Sequence, residues 1–364
     1  MTTTTQEVAG TTPESTSTPG RRRSGGGLGS YLLVRFLLIF PTILILVTTV
    51  FVMMRATGDP ITAAQGGRLT PDQLAERIHA AGYDRPLIVQ YLEYLGGIVR
   101  GDFGTTISDH RPVTEVLITY GAATLELAVY ALIVAFAVGI PLGRLAAAKR
   151  DRGIDATLRV SAVLVYATPV FFAGMLLKLI FAVGLDWLPV AGRASTGAEI
   201  QMQREGAGTG IYLVDAISTG DGAVVVDVLK HAILPAVALG LLTAGVFLRL
   251  VRTNVIGTLT TGYVEAARSR GVAERRLLRK HAWRPALVPI ITVIGLQIAM
   301  LLAGAVLTET TFEWKGLGFQ LVQYLLARDY VAVQGMVAML AVIVAVTNFV
   351  VDVIAALVDP RVRY

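Results

Sequence analysis

The sequence predicts an all-α polytopic membrane protein with six transmembrane helices. Of its 364 residues, 54% are hydrophobic and only 16% are charged, against about 25% charged in an average soluble domain. The mean hydropathy of +0.63 exceeds that of a water-soluble globule of this size. Each predicted helix is long enough to cross about 30 Å of hydrocarbon. The six lie near residues 31–54, 123–142, 160–183, 232–251, 286–308 and 331–356.

The first of these segments follows a polar tail. Residues 1–30 are rich in Thr, Ser and Gly, with Arg21–Arg23 as the charge cluster, so we expect a disordered tail that cannot bury enough apolar surface to fold. A secretory signal peptide is the alternative, since basic residues precede an apolar run. The run from Tyr31 to Met54 is too long for a signal core and lacks a small-x-small cleavage site, which favours an uncleaved membrane helix.

The charges of the loops predict the orientation, because cytoplasmic loops collect Lys and Arg. Segment 249–285 holds nine basic and two acidic residues, and segment 143–159 holds five basic and two acidic residues. The tail and the C-terminal segment 358–364, with Arg361 and Arg363, fall on the same side of a six-helix topology. Both termini are therefore predicted to be cytoplasmic. The net charge of +6 then reflects topology rather than nucleic-acid binding.

The loops on the opposite side differ in character. Residues 55–122 contain a helix start at Thr70–Gln73, a suitable helix stop at Gly82 and a second start at Pro86. They predict a small extracytoplasmic helical cap between helices 1 and 2, serving either as a docking surface or as a packed connector. Residues 193–226 are expected to form a flexible insertion.

Several kinds of catalytic site are excluded. The absence of cysteine rules out disulfides, iron–sulfur clusters and thiol nucleophiles, and the four histidines lack the spacing of a zinc pair. No phosphate-binding G-x-x-x-x-G-K-[ST] loop occurs. No Ser-His-Asp, His-Glu-x-x-His or paired intramembrane carboxylate pattern supports a membrane enzyme. The chain is predicted to have no catalytic residues, no metal site and no cofactor of its own.

One cytoplasmic segment, Tyr-Val-Glu-Ala-Ala-Arg-Ser-Arg-Gly at residues 263–271, suits contact with another protein. Ala266 and Ala267 are small, so a partner surface could approach the backbone closely, and Glu265 offers a negative charge. Gly271 can take the left-handed conformation that ends a helix. The segment therefore predicts a short rigid helix between helices 4 and 5.

This segment resembles the E-A-A-x-x-x-G motif of importer-type ABC permeases, whose coupling helix sits in a cleft of a separate ATPase subunit. From Tyr31 onwards, the flanking sequence is similar to the dipeptide/oligopeptide branch of that family. Thr57, Lys315 and Val331 stand where that branch usually has proline. The matching segments are Gly58–Pro60, Gly101–Gly104, Trp187–Gly192, His231–Pro235, Glu309–Phe312, Gly316–Gly318, Asp329–Tyr330 and Asp359–Arg361.

The resemblance implies a permease subunit in a bacterial inner membrane that forms half of a path for short peptides, with Glu265, Ala266, Ala267 and Gly271 as the ATPase-coupling segment. The implied partners are a homologous sister permease, two ATPase subunits that bind ATP and Mg, and a lipid-anchored or soluble extracytoplasmic binding protein. Nickel complexes, glutathione or another small solute are alternative substrates. An ion-coupled secondary transporter is an alternative of another class, disfavoured by the lack of internal inverted repeats.

Polar residues within the spans are candidates for lining the path: Glu126, Lys178, Gln297, Asn348 and Asp352. Glu126 and Lys178 lie toward the outer face, either as a pair that grips substrate or as snorkelling side chains or a structural ion pair. Hydrogen bonds between helices are the alternative role of Gln297 and Asn348. Asp352 could be neutralised by Arg361.

Overall fold

The computed structural model describes residues 28–358 except residues 66 and 68. Most of the expected tail, Arg21–Arg23, Arg361 and Arg363 therefore lie outside the described residues. The regular elements within the described range are helices, with one isolated bridge between Thr105 and Pro112. The α-helices are α1 (Leu28–Ala56), α2 (Pro60–Gln65), α3 (Pro71–Ala80), α4 (Leu87–Val99), α5 (Val113–Ala148), α6 (Gly153–Ala167), α7 (Val170–Leu177), α8 (Thr196–Glu205), α9 (Tyr212–Ser218), α10 (Gly222–Leu259), α11 (Gly262–Ser269), α12 (Glu274–Arg276), α13 (Trp283–Phe312), α14 (Leu317–Leu326) and α15 (Tyr330–Val358). Two π-helical segments, Lys178–Gly184 and Leu277–Ala282, extend α7 and precede α13.

Four described helices are long and apolar enough to cross a membrane: α1, α5, α10 and α15. The expected span at 160–183 is not one straight helix, because α6 and α7 with its π-helical extension meet at an angle of 103°. Pro169 lies at the break, where it lacks an N–H and disfavours a helical conformation at Thr168. The segment 286–308 lies inside α13, several of whose side chains are outside the described residues. The count of six spans stays a prediction.

Helices α5 and α10 form the centre of the bundle and pack at very short range. A Cβ atom at Gly139 would lie 2.6 Å from the carbonyl oxygen of Ala244, and one at Gly240 would lie 2.6 Å from that of Ala131. Only residues without a side chain allow two backbones to approach so closely, as is typical of helix pairs in membranes. The two longest helices are therefore in direct backbone contact.

The expected helical cap between the first and second spans is confirmed as helices α2, α3 and α4. Thr70 and Gln73 form the capping box that the sequence predicts, each side chain accepting a hydrogen bond from the other residue's backbone N–H. Gly82 has a φ of +73°, and the next N–H, that of Tyr83, donates to the Ile78 carbonyl at 3.0 Å. This arrangement ends α3 and turns the chain toward α4.

The segment 193–226, which we call the insertion, is folded, so the expectation of flexibility was wrong. It contains α8 and α9 and leads directly into α10. Its small apolar core is formed by Ala194, Ala198, Met202, Ala216, Val224 and Val228. Asp215 accepts hydrogen bonds from the backbone N–H groups of Thr209 and Gly210 and so orders the glycine-rich turn. The glycines and the low mean hydropathy of this segment indicated a flexible loop, and its few apolar residues show no pattern that predicts a core.

Candidate functional site

The segment 263–271 forms the short helix α11 and the turn that ends it, which we call the knob. Thr261 precedes α11 in an extended conformation, which fits an N-cap position. Val264 is fully buried, Ala267 is half-buried, and Glu265 and Ala266 are exposed. One face of α11 is therefore held by the rest of the chain, while the other presents a carboxylate beside a small side chain.

The knob ends in a Schellman motif built on Gly271. Its φ is +77°, its N–H donates to the Arg268 carbonyl at 3.0 Å, and the Val272 N–H donates to the Ala267 carbonyl at 3.3 Å. A Cβ atom on Gly271 would meet no atom within 4 Å. Glycine is therefore needed here for its left-handed conformation, which the sequence predicts, and not because a side chain would clash.

Two side-chain contacts tie the knob to the segment that follows it. The Arg268 guanidinium bonds to Glu274, with Nη2 3.1 Å from Oε1 and Nε 3.3 Å from Oε2, and this hydrogen bonding raises the pKa of Arg268. The Tyr263 hydroxyl donates to the His281 carbonyl at 3.2 Å. Glu274 lies in α12 and His281 in the π-helical segment that leads into α13, so the knob is connected at two points to the stretch of chain before that helix.

A buried ion pair lies close to the knob in the chain. Arg252 near the end of α10 makes a bidentate contact with Asp155 in the first turn of α6, with Nε–Oδ1 at 2.6 Å and Nη2–Oδ2 at 2.8 Å. Asp155 is 0% exposed and also accepts the Asp151 N–H at 3.1 Å. Nothing in the spacing of these two residues along the sequence predicts their contact. The pair brings the two basic segments to one end of the bundle, which we call the basic end.

At the opposite end, Glu126 binds the insertion. Its carboxylate accepts hydrogen bonds from Arg193 Nη2 at 2.6 Å, the Tyr130 hydroxyl at 2.9 Å and the Leu213 N–H at 2.8 Å. Arg193 is 5% exposed and lies over the Tyr212 ring, 3.6 Å from its centroid. Of the two roles expected for Glu126, the geometry favours the structural ion pair, with Arg193 as the partner.

Lys178 has a different environment. Its Nζ donates to the Thr311 carbonyl at 2.7 Å and lies 5.5 Å from the Phe312 ring centroid. These contacts join the extension of α7 to the end of α13. Glu126 and Lys178, which the sequence analysis considered as a pair, therefore have separate partners.

The remaining candidates for the path fall in two places. Asp352 Oδ2 lies 3.4 Å from Arg35 Nη1, and Asn348 lines the same cavity of about 160 Å³ between α1 and α15. The partner expected for Asp352, Arg361, is outside the described residues. Gln297 is buried in α13. The structure brings Asn348 and Asp352 together but does not group them with Glu126.

A buried carboxylate that the sequence analysis did not single out as a site is Glu309. It is 0% exposed and accepts hydrogen bonds from the Thr124 hydroxyl at 2.6 Å and the Phe319 N–H at 2.9 Å. Phe319 lies in the first turn of α14, where backbone N–H groups and the helix dipole favour a negative charge. A Cβ atom at Gly316 would overlap this carboxylate, which explains the glycine there. Among the described residues, no group of three or more His, Asp or Glu side chains could hold a metal ion.

Comparisons with known proteins agree with this architecture. Residues 139–364 match the family described as binding-protein-dependent transport system inner membrane component, and residues 29–126 match the corresponding N-terminal family. The dipeptide transport system permease protein DppB of Escherichia coli K12 is 39% identical over 92% of this chain and 98% of its own length. The di/tripeptide transport system permease protein DppB of Pseudomonas aeruginosa UCBPP-PA14 is 36% identical over 92% of this chain and 99% of its own length.

The solved structures give a more distant match. A chain from the inward-facing MetNI methionine ABC transporter superposes with a TM-score of 0.51 and 16% identity, covering 68% of this chain and 97% of that chain. At this identity the likeness concerns the fold alone. The resemblance noted from the sequence motifs is confirmed by the family matches. The chain belongs to the family of binding-protein-dependent transport system inner membrane components.

Proposed function

We propose that this chain is the permease subunit of an ATP-binding-cassette importer and forms half of a transmembrane path for short peptides. The observation that carries the proposal is the knob, a rigid helix with an exposed Glu-Ala pair between two long helices. Two relatives that match nearly the full length are named as dipeptide and di/tripeptide permeases, which supports the substrate class. A sister permease supplies the other half of the path.

The knob is the proposed contact with the ATPase. Ala266 and Ala267 let the partner surface come close to the backbone, and Glu265 offers a charge to a basic group. The two partner ATPase subunits bind ATP and Mg, and this chain hydrolyses no ATP itself. Because Gly271, Arg268 and Tyr263 hold the knob against the following segment, a movement of the ATPase is transmitted to α10 and α13 as a rigid-body displacement.

The orientation follows from the distribution of basic residues. We place the basic end in the cytoplasm, together with both termini, and the cap and insertion outside the inner membrane of a bacterial cell. On that side the cap and insertion receive a lipid-anchored or soluble binding protein that delivers the peptide. A peptide carries polar backbone groups that cost several kcal/mol each when unpaired in hydrocarbon, so a water-lined path between two subunits removes that cost. For Gln297 and Asn348, lining this path stays a prediction.

The test is uptake of labelled di- to pentapeptides in cells with and without this gene, followed by complementation with the wild-type gene and the Gly271→Val variant. We expect uptake to require the gene, ATP and the binding protein, and to be restored fully by the wild type and only in part by Gly271→Val. If the deletion leaves peptide uptake unchanged but abolishes nickel or glutathione uptake, the chain is still a permease, but peptides are not its substrate. Uptake by the purified chain without any ATPase would instead indicate secondary transport.

A further inference from the structure

A cavity of about 430 Å³ opens at the basic end between α5, α10 and the start of α13. Its charged lining consists of Arg144, Arg275 and Arg279, and Trp283 and Leu278 form part of its wall. Arg144 lies one turn before the end of α5, with its guanidinium carbon 4.6 Å from the Trp283 ring centroid. We call this feature the arginine cavity.

The arginine cavity has an unbalanced positive charge. No Asp or Glu contributes to its lining. Other arginines of the same segments have carboxylate partners, as Arg252 has Asp155 and Arg268 has Glu274. For Arg144, Arg275 and Arg279, the described residues provide no such ion pair. Three cations around one concavity, without a carboxylate to neutralise them, favour an anionic ligand that brings phosphate oxygens.

The depth and the walls of the cavity favour a lipid over a soluble anion. Arg144 lies one turn before the end of the membrane-spanning helix α5, where such a helix reaches the headgroups, and Arg275 and Arg279 line the same cavity from the segment before α13. Pro141, Leu145 and Leu278 line the cavity, and Pro141 is exposed and lies one turn of α5 closer to the hydrocarbon than Arg144, so an apolar surface adjoins the arginines on that side. Trp283 has the amphipathic ring that is enriched at this interface. A soluble phosphate would use the cations and leave the apolar wall uncovered.

We propose that the arginine cavity binds the phosphate of an anionic phospholipid, of the phosphatidylglycerol class, in the leaflet at the basic end. The glycerol and upper acyl chain would cover Leu145 and Leu278. The proposal rests on the membrane-spanning placement of α5 and α10, and not on the peptide substrate or the inside–outside orientation.

Occupancy of the cavity has a consequence for the knob. Arg275 and Arg279 lie on the same segment as Glu274 and His281, which hold Arg268 and Tyr263 of the knob. A bound phosphate would draw Arg275 and Arg279 toward Arg144 and fix this segment. The lipid would therefore order the support of the knob without touching the knob itself.

The test measures lipid binding to the purified full-length chain in a neutral detergent. Phosphatidylglycerol and phosphatidylcholine are titrated separately, and retained lipid is counted by native mass spectrometry. The variant is Arg144→Gln/Arg275→Gln/Arg279→Gln. The matched control, Lys149→Gln/Arg276→Gln/Lys280→Gln, removes the same charge from the same two segments at positions outside the lining.

We expect the wild type and the control to bind phosphatidylglycerol equally and phosphatidylcholine weakly. An arginine in direct contact with the phosphate contributes roughly fivefold in affinity, and the control residues make no such contact, so loss of all three arginines should weaken phosphatidylglycerol binding about a hundredfold. Inorganic phosphate at millimolar concentration should displace little lipid, because it cannot cover the apolar wall. An Arg→Lys triple variant should keep most of the binding, and if the triple Gln variant does not fold, Arg144→Gln alone should weaken phosphatidylglycerol binding roughly fivefold while Lys149→Gln should not.

Three outcomes would overturn the proposal. Equal weakening in the variant and the control would show diffuse attraction rather than a site. Full displacement of lipid by inorganic phosphate would identify a soluble-anion site. Unchanged phosphatidylglycerol binding by the variant would show that the cavity does not bind the lipid. Each result is read from binding to the chain itself, so a failure of peptide transport would not produce any of them.

Discussion

Replacement of Gly271 by valine tests whether the geometry of the knob matters for coupling. Gly271 has a φ of +77°, in the left-handed region that a β-branched residue enters only at a cost. That cost is about 1–2 kcal/mol per residue. No other penalty is expected, because a Cβ atom at this position meets no atom within 4 Å. The substitution therefore changes the conformational preference of one turn and leaves the surrounding packing intact.

The magnitude of the effect on coupling follows from this strain. If the last turn of α11 unwinds to relieve about 1–2 kcal/mol, the ratio of correctly shaped to unwound knob falls roughly five- to thirtyfold. The Schellman hydrogen bonds from Gly271 to Arg268 and from Val272 to Ala267 would be lost together. We expect the amount of peptide imported per ATP hydrolysed to fall by at most that factor, while the amount of permease in the membrane stays near that of the wild type.

The assay uses the complete complex in proteoliposomes, with transport and ATP hydrolysis measured on the same preparation. Gly262→Val is the matched control, because Gly262 begins the same helix, has no positive φ and also has open space around its Cβ position. Gly271→Asn should be intermediate, since asparagine tolerates the left-handed region. Wild-type coupling by Gly271→Val, or an equal loss in Gly262→Val, would refute the reasoning.

Three further predictions concern the supports of the knob, the insertion and the topology. Arg252→Gln removes the bidentate partner of the buried Asp155 carboxylate and leaves it only the longer ion pair with Arg159, whose Nε lies 3.8 Å from Oδ1, so it should destabilise the chain by up to roughly 3 kcal/mol. Thermal unfolding in detergent should show this loss and its partial recovery in Asp155→Asn/Arg252→Gln. Arg193→Met should make the insertion sensitive to limited proteolysis, because Glu126 then loses its only ion-pair partner among the described residues. The control variant Arg204→Met, at an exposed position, should leave the insertion resistant. Ser269→Cys, in a chain without cysteine, should react with an impermeant thiol reagent only after the cells are opened; reaction in intact cells would contradict the proposed orientation.

Local patterns predicted the features that depend on neighbouring residues. The apolar runs of α5 and α10 identified both spans, because hydropathy over some twenty residues is enough to place a helix in a bilayer. Thr70 and Gln73 predicted their capping box, and Gly271 predicted its left-handed turn, since each is decided within four residues of sequence. These predictions needed no knowledge of the tertiary fold.

Contacts between distant residues could not be predicted in this way. Glu126 and Arg193 are 67 positions apart, and Asp155 and Arg252 are 97 apart, so no sequence spacing indicates either pair. Each residue alone is equally compatible with a solvated loop charge. The insertion was misjudged partly for the same reason, because besides its own small core it is held by the buried Glu126 carboxylate, which lies outside the insertion.

The break at Pro169 shows a further limit of local reasoning. Pro41, Pro141, Pro235 and Pro289 lie inside continuous helices, whereas Pro169 separates two helices at 103°. A proline removes one hydrogen bond in every case, and neighbouring helices in a membrane decide whether the chain continues straight. After Pro169 the chain turns so that Gly174 packs against Phe312 of α13. A Cβ atom at Gly174 would lie 3.0 Å from the Phe312 ring. The proline at the break permits the bend, and the bend brings α7 against α13.

The course of α10 connects the two ends of the molecule. This helix has 38 residues and spans about 57 Å at a rise of 1.5 Å per residue, which exceeds the hydrocarbon thickness of about 30 Å. It begins at Gly222, inside the insertion, and ends at Leu259, just before α11. Its contact with α5 passes through glycines that leave no room for side chains, so the two helices have little freedom to slide past one another. We therefore expect a displacement of the knob to reach the insertion through α10 alone. The contact between Glu126 on α5 and Arg193 also holds the insertion to the rigid pair formed by α5 and α10.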